Sequence, residues 1–137
     1  MTSLADLSSR SYKPRLRVLA VDDDFFVRFQ IKDFMVSEGF HCDTCSHPED
    51  AMDQLAKSPH NYGLVFMDIE FGGEALGLNA ARTIAARRDN GGPSVIGITG
   101  VKSLYDYENR AAYGLEDVLA KPLHKWLLIN LASAYCG

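Results

Sequence analysis

Acids, one hydroxyl and one amine recur in this chain at places from which they could act together. Asp22, Asp23 and Asp24 follow the apolar run 16–21, Asp68 closes the run 62–67, Thr99 ends the run 94–99, and Lys121 follows the run 117–120. Carboxylates gathered at one point repel one another, and a hard divalent cation with oxygen ligands, Mg2+ above all, is their natural neutraliser. A hydroxyl and an ammonium beside them suit a phosphoryl group. Lys121 can balance its charge, Thr99 can donate a hydrogen bond, and the cation can bridge acids and phosphoryl oxygens. One carboxylate is then left over as a nucleophile.

Each of these residues also has a plainer role. The three consecutive acids can cap a following helix, and Asp24 is read as that cap. Asp68 by itself is a loop acid, Thr99 a satisfied hydroxyl, and Lys121 a surface lysine. The chemical reading therefore depends on whether the fold brings their positions to one place.

The elements between them supply that fold. Leu16 to Val21 is too short for a buried helix and is bounded by acids, which predicts a strand. From Asp24 to Glu38, Val27, Ile31, Phe34 and Met35 share one helical stripe, and Gly39 is a stop. A weaker strand, 40–45, precedes a helix over 49–57 that Pro48 opens and whose first-turn acids suit the helix dipole. A third strand, 62–67, leads through a loop with Gly72, Gly73 and Gly77 to a helix over 78–88. A fourth pair comprises 94–99 and 103–113, and a fifth comprises 117–120 and 123–134, where Trp126, Leu127, Ile129 and Leu131 are expected to cover a sheet. Repeated strand and helix in this order implies a parallel sheet covered on both faces with right-handed crossovers. Such doubly wound sheets bind ligands at the carboxyl ends of their strands, where the residues above lie.

The whole composition agrees with one domain. The 137 residues carry a formal net charge of -4 with 47% hydrophobic and 23% charged residues, which fits an ordinary globular chain and disfavours a nucleic-acid partner. Residues 1–14 read as a flexible leader and 15–137 as the domain. No run reaches membrane-spanning length and the first residues lack a signal-peptide core, so a cytoplasmic location is expected. Cys42 and Cys45 form a C-x-x-C between His41 and His47. Residues three apart on a strand face opposite ways and no second ligand pair accompanies them, so reduced, inert thiols are expected.

Taken in order, the strand-end residues resemble the response-regulator receiver domain of two-component signalling, over nearly the whole chain from Arg15. Val21-Asp22-Asp23-Asp24 resembles that family's acidic pair after the first strand, and Phe66-Met67-Asp68-Ile69 its phosphoacceptor. Ile96-Gly97-Ile98-Thr99-Gly100 is similar to its fourth strand end, and Lys121-Pro122 to its Lys-Pro step with a cis peptide. The resemblance implies an α/β, flavodoxin-like or CheY-like (βα)5 fold, a five-stranded parallel sheet in the order 2-1-3-4-5. It implies Asp68 as phosphoacceptor aided by Thr99 and Lys121, and Mg2+ held by Asp22, Asp23, Asp68 and the backbone carbonyl of Glu70. The donor would be a histidine kinase or a His-phosphotransfer protein. Output would go through a partner protein, or through a homodimer, because the sequence stops soon after the fifth helix. No nucleic acid or membrane partner is implied, and the domain would be a signalling module, not a turnover enzyme.

Departures from the family pattern are specific. Gly72 stands where a Pro is usual, Glu74-Ala75-Leu76-Gly77 replaces an Asp-Gly step, and Val118 occupies the position of an aromatic switch residue. They keep alive a receiver-shaped binding module that works without phosphate. Asp22-x-Asp24 also mimics the opening of haloacid-dehalogenase-like phosphatases, with Asp22 as nucleophile, although Phe25-Phe26 follows where that class has small residues.

Overall fold

The apolar runs form strands because both of their faces are covered. In the computed structural model, which describes residues 15–70, 76–100 and 110–137, the elements alternate as β1 (Arg17–Val21), α1 (Phe25–Ser37), β2 (Cys42–Cys45), α2 (Pro48–Lys57), β3 (Tyr62–Asp68), α3 (Leu76–Ala85), β4 (Ser94–Thr99), β5 (Leu115–Ala120) and α4 (Lys125–Cys136). Short 3-10 turns occupy Arg88–Asn90 and Arg110–Tyr113. The strands form one parallel sheet in the order β2-β1-β3-β4-β5. This is the expected doubly wound, flavodoxin-like and CheY-like fold.

Alternation along the strands divides the core in two. Val18, Ala20, Leu64, Phe66, Ile96 and Ile98 face α1 and α4, packing on Ile31, Met35, Leu128 and Ala132. Leu19, Val21, Val65, Met67 and Val95 face α2 and α3, packing on Leu55, Leu78, Ala81 and Ile84. The central strands β3 and β4 are buried at every residue, as a sheet covered on both sides requires. Burying each large aliphatic side chain contributes roughly 1.5–3 kcal/mol before chain entropy is subtracted.

Local signals fix the helix ends near the site. Asp24 caps α1, its Oδ1 accepting the Phe26 N–H at 2.8 Å. The chain then leaves α1 through Gly39, whose φ of +83° a side chain would strain. Helix α2 opens on Pro48 with Glu49 and Asp50 in its first turn and Lys57 in its last, matching the dipole at both ends.

Several expected boundaries move. Helix α3 runs Leu76–Ala85 where 78–88 was expected, because the chain tightens into the 3-10 turn and leaves it at Gly91, φ +86°. Strand β5 starts at Leu115, which is buried with the α2 and α3 layer. Most of the helix expected over 103–113 lies outside the described residues, as do Gly72, Gly73, Glu74 and Ala75; its end, Arg110–Tyr113, is the 3-10 turn. Trp126 and Leu127 do not cover the sheet. They are exposed, since the buried stripe of α4 is Leu128, Ile129, Ala132 and Cys136, and a 100° step per residue turns Trp126 away from it.

Cys42 packs on the α1 and α4 side and Cys45 on the α2 side. Burial raises the Cys42 thiol to about 12 and the Cys45 thiol to about 11, so both stay protonated and poor as ligands or nucleophiles. No helix among the described residues is long and apolar enough to cross a membrane.

Candidate phosphoacceptor site

The parallel sheet brings every strand-end residue named above to one edge. β1 delivers Asp22, which is fully buried, and the exposed Asp23. β3 delivers Asp68, 5% exposed, and β4 delivers Thr99, 0% exposed. Carboxylate oxygens of Asp22, Asp23 and Asp68 all lie within 4.8 Å of one another. Across the edge, Lys121 Nζ reaches Asp22 Oδ2 at 3.1 Å. Its backbone is held there by the Lys121 N–H, which donates to the Thr99 carbonyl at 2.9 Å, and the peptide to Pro122 is cis.

Backbone amides aim two of these acids. Asp22 Oδ1 accepts the Asp24 N–H at 2.8 Å, and Asp68 Oδ1 accepts the Glu70 N–H at 3.0 Å. Asp22 Oδ2 is buried, and among the described residues the Lys121 ammonium is its sole partner. Asp24 serves as the helix cap through Oδ1, so one oxygen of the second acid in the D-x-D reading is engaged by α1. The β3 and β4 ladders continue one step past Asp68, where the Ile69 N–H donates to the Ile98 carbonyl at 3.1 Å, so Asp68 and Thr99 sit on adjoining, paired strand ends.

Charge and burial oppose each other here. Burial raises the Asp68 carboxyl to about 6; the Glu70 amide pulls it down and the Asp22 charge pushes it up again. Asp22 is raised as well, chiefly by burial, with the Asp24 amide and the Lys121 charge acting against it. For Lys121 burial works to lower the ammonium, but the charge of Asp22, its hydrogen bond and the charge of Asp68 prevail and the group is raised. Buried carboxylates crowded to this degree fit a hard cation with oxygen ligands.

Two features escaped sequence reading. Arg28, one turn into α1, donates through Nη1 to the Asp22 carbonyl at 2.7 Å and fastens the β1 end to that helix. Glu70, expected to act through its carbonyl, turns its side chain to the end of β4. There Glu70 Oε1 accepts from the Thr99 hydroxyl and, at 2.9 Å, from the Gly100 N–H. The signal in the sequence was an acid two residues after Asp68, but its partner follows only from the β3 and β4 register, which pairs Asp68 with Ile98. Val118 is buried on the α2 and α3 side of β5.

Solved structures repeat the architecture. The chemotaxis protein CheY4 of Vibrio cholerae superposes with a TM-score of 0.75 at 17% identity, covering 88% of this chain and 98% of that one. A receiver protein from Burkholderia phymatum gives 0.70 at 27% identity, covering 90% and 94%. The receiver domain of Ssk1 from Saccharomyces cerevisiae, solved with the histidine phosphotransfer protein Ypd1, gives 0.75 at 20% identity, covering 90% of each chain. No curated protein matches the chain. The response regulator receiver domain matches residues 18–133 as a family, a span from the second residue of β1 into α4 that includes every strand end described above, and the chain belongs to that family.

Proposed function

We propose that the chain takes up a phosphoryl group on Asp68 from a phosphohistidine and passes the resulting change to a protein partner. Receiver domains are signalling modules, and the reading goes further by assigning the reacting atom. The observation that carries it is the burial of Asp68 at the end of β3, with oxygens of Asp22 and Asp23 within 4.8 Å and Lys121 paired to Asp22.

In the proposed step, Oδ2 of Asp68, the oxygen not engaged by the Glu70 amide, attacks phosphorus. The new O–P bond makes an acyl phosphate while the P–N bond breaks and its electron pair returns to the donor imidazole. Lys121 balances the charge that Asp68 acquires, and the Thr99 hydroxyl and Gly100 amide at the end of β4 would donate to the new oxygens. Receiver domains bind Mg2+ at an acidic pocket, and here Asp22, Asp23, Asp68 and the Glu70 carbonyl are the residues that would hold it. When bound, the ion offsets the crowded acids and draws charge from phosphoryl oxygens. A His-phosphotransfer protein or a histidine kinase is the fitting donor class, the first being what the Ssk1 receiver is bound to in its solved complex.

Intact mass after incubation with acetyl phosphate and Mg2+ tests the assignment. One added phosphoryl group, absent without the metal and absent in Asp68→Asn, is expected; label retained by Asp68→Asn would refute it.

A further inference from the structure

The donors that a phosphoryl group on Asp68 would need are already in use. The Thr99 hydroxyl and the Gly100 N–H both point to one oxygen, Glu70 Oε1. Glu70 reaches them from a backbone anchored on the other side of the same site, since its own N–H donates to Asp68 Oδ1. One residue thus holds the acceptor acid with its amide and the strand-end donors with its carboxylate. Thr99 is fully buried and Gly100 offers no side chain, so the hydroxyl and amide form a small donor pair with an anionic oxygen seated between them.

A carboxylate oxygen and a phosphoryl oxygen are chemically alike for such a pair: both are anionic acceptors of charge-assisted hydrogen bonds. They also repel each other at close range. The geometry points to Glu70 as an internal ligand of the Thr99 and Gly100 donors, which an incoming oxyanion must displace, so that its carboxylate sets the threshold at which the site accepts a tetrahedral anion. This inference rests on the phosphoacceptor reading and adds the group that opposes it. The exchange is between two occupants of one donor pair, so uptake shifts the β4 end by the difference between two similar interactions, not by the full strength of a new one. Glu70 is half-exposed, and its side chain can leave toward solvent without unpacking the core.

Titration of the whole chain with beryllofluoride and Mg2+, followed by amide NMR, tests this. Glu70→Ala is expected to bind the fluoride complex about tenfold more tightly than wild type, the scale of one charge-assisted hydrogen bond. Glu70→Gln, which keeps an acceptor but loses the charge, should fall between. Before any addition, the Gly100 amide should move in both variants and exchange faster in Glu70→Ala. In a Thr99→Ala background the gain from Glu70→Ala should shrink, because one of the contested donors is gone. Equal or weaker binding by Glu70→Ala while wild type binds, or an unmoved Gly100 amide, overturns the inference and leaves the phosphoacceptor reading standing. If wild type and both Glu70 variants fail to bind the complex at all, both readings fall. Binding by Glu70→Ala alone would support the inference in its strongest form.

Discussion

The ammonium of Lys121 stands 3.1 Å from Oδ2 of Asp22, a buried oxygen that no other donor among the described residues reaches. The pair joins the end of β5 to the end of β1 across two intervening strands. Without metal it acts together with the Asp24 amide against the burial that raises this carboxyl. Removing the amine leaves Asp22 with Asp23 and Asp68 for company, and breaking one side of a desolvated pair costs more than the pair itself contributes.

Lys121→Ala is therefore expected to lower metal-free stability by about 1–2 kcal/mol, less than for a fully buried pair because the lysine side chain remains partly exposed. Added Mg2+ should recover most of that loss, because the ion replaces the missing positive charge. Urea denaturation with and without Mg2+ reads both numbers. A loss that Mg2+ leaves untouched would mean that Lys121 supports packing and not charge.

Asp68 carries a pH dependence whose sign is set by its raised carboxyl, about 6 when folded against an ordinary 3.8. The folded state holds this proton more tightly than the unfolded chain, so without metal the ionised acid destabilises the fold above about pH 6. That cost fades as pH falls from 6 towards 3.8. Asp68→Asn should accordingly be more stable than wild type by about 3 kcal/mol at pH 7 without metal, and the two should converge near pH 4. Parallel denaturation curves from pH 4 to 8 would show it, and a gap that is constant across that range would contradict the assignment.

The strand ends were legible in the sequence because each apolar run stops at a polar residue. A parallel sheet then gathers those stops at one edge, without any contact having to be foreseen. Asp22, Asp68, Thr99 and Lys121 were therefore placed correctly at that edge from punctuation alone. The Glu70 contact was not legible, since an acid two residues beyond a strand end can face either way. Its choice of Thr99 follows from a register that only the assembled sheet defines. Trp126 and Leu127 were misplaced for a related reason: α4 is apolar through most of its circumference, so periodicity did not single out the buried stripe. The boundary of α3 moved because the Arg88–Asn90 turn continues a helical pattern with tighter geometry.

Gly77 lies in the first turn of α3, not in the loop expected for it, and packs against the end of β3. A Cβ there would lie 1.9 Å from the Asp68 carbonyl oxygen and 2.8 Å from the Ile69 Cα, backbone atoms that cannot give way without moving the acceptor. Gly77→Ala should displace the first turn of α3 or the Asp68 backbone and slow acetyl phosphate labelling about tenfold, while the rest of the fold persists. Labelling at the wild-type rate, with unchanged Asp68 and Glu70 amide shifts, would mean that the helix start yields instead at no consequence to the site.

The last prediction separates Thr99 from Val118 in the output. Val118 is buried on the α2 and α3 face, in a cluster with Leu115, Val95 and Ile69; a β-branched side chain there has few rotamers and no ring to swing between exposed and buried positions. Val118→Ala should cost about 1–2.5 kcal/mol of stability by opening a small void, equally in the free and phosphoryl-mimic states, and so leave the response to phosphorylation intact. Thr99 differs because its hydroxyl changes partner in the proposed exchange, from Glu70 to a phosphoryl oxygen. Thr99→Ala removes that donor from both states, which leaves Gly100 as the remaining donor and narrows the difference between them. Partner binding or dimerisation, measured with and without beryllofluoride, should then lose most of its dependence on the complex in Thr99→Ala and keep it in Val118→Ala once both are compared at equal folded fraction. If Val118→Ala loses the dependence as much as Thr99→Ala does, the change passes through the body of β5, and the β4 end with its Glu70 contact is not where the two states diverge.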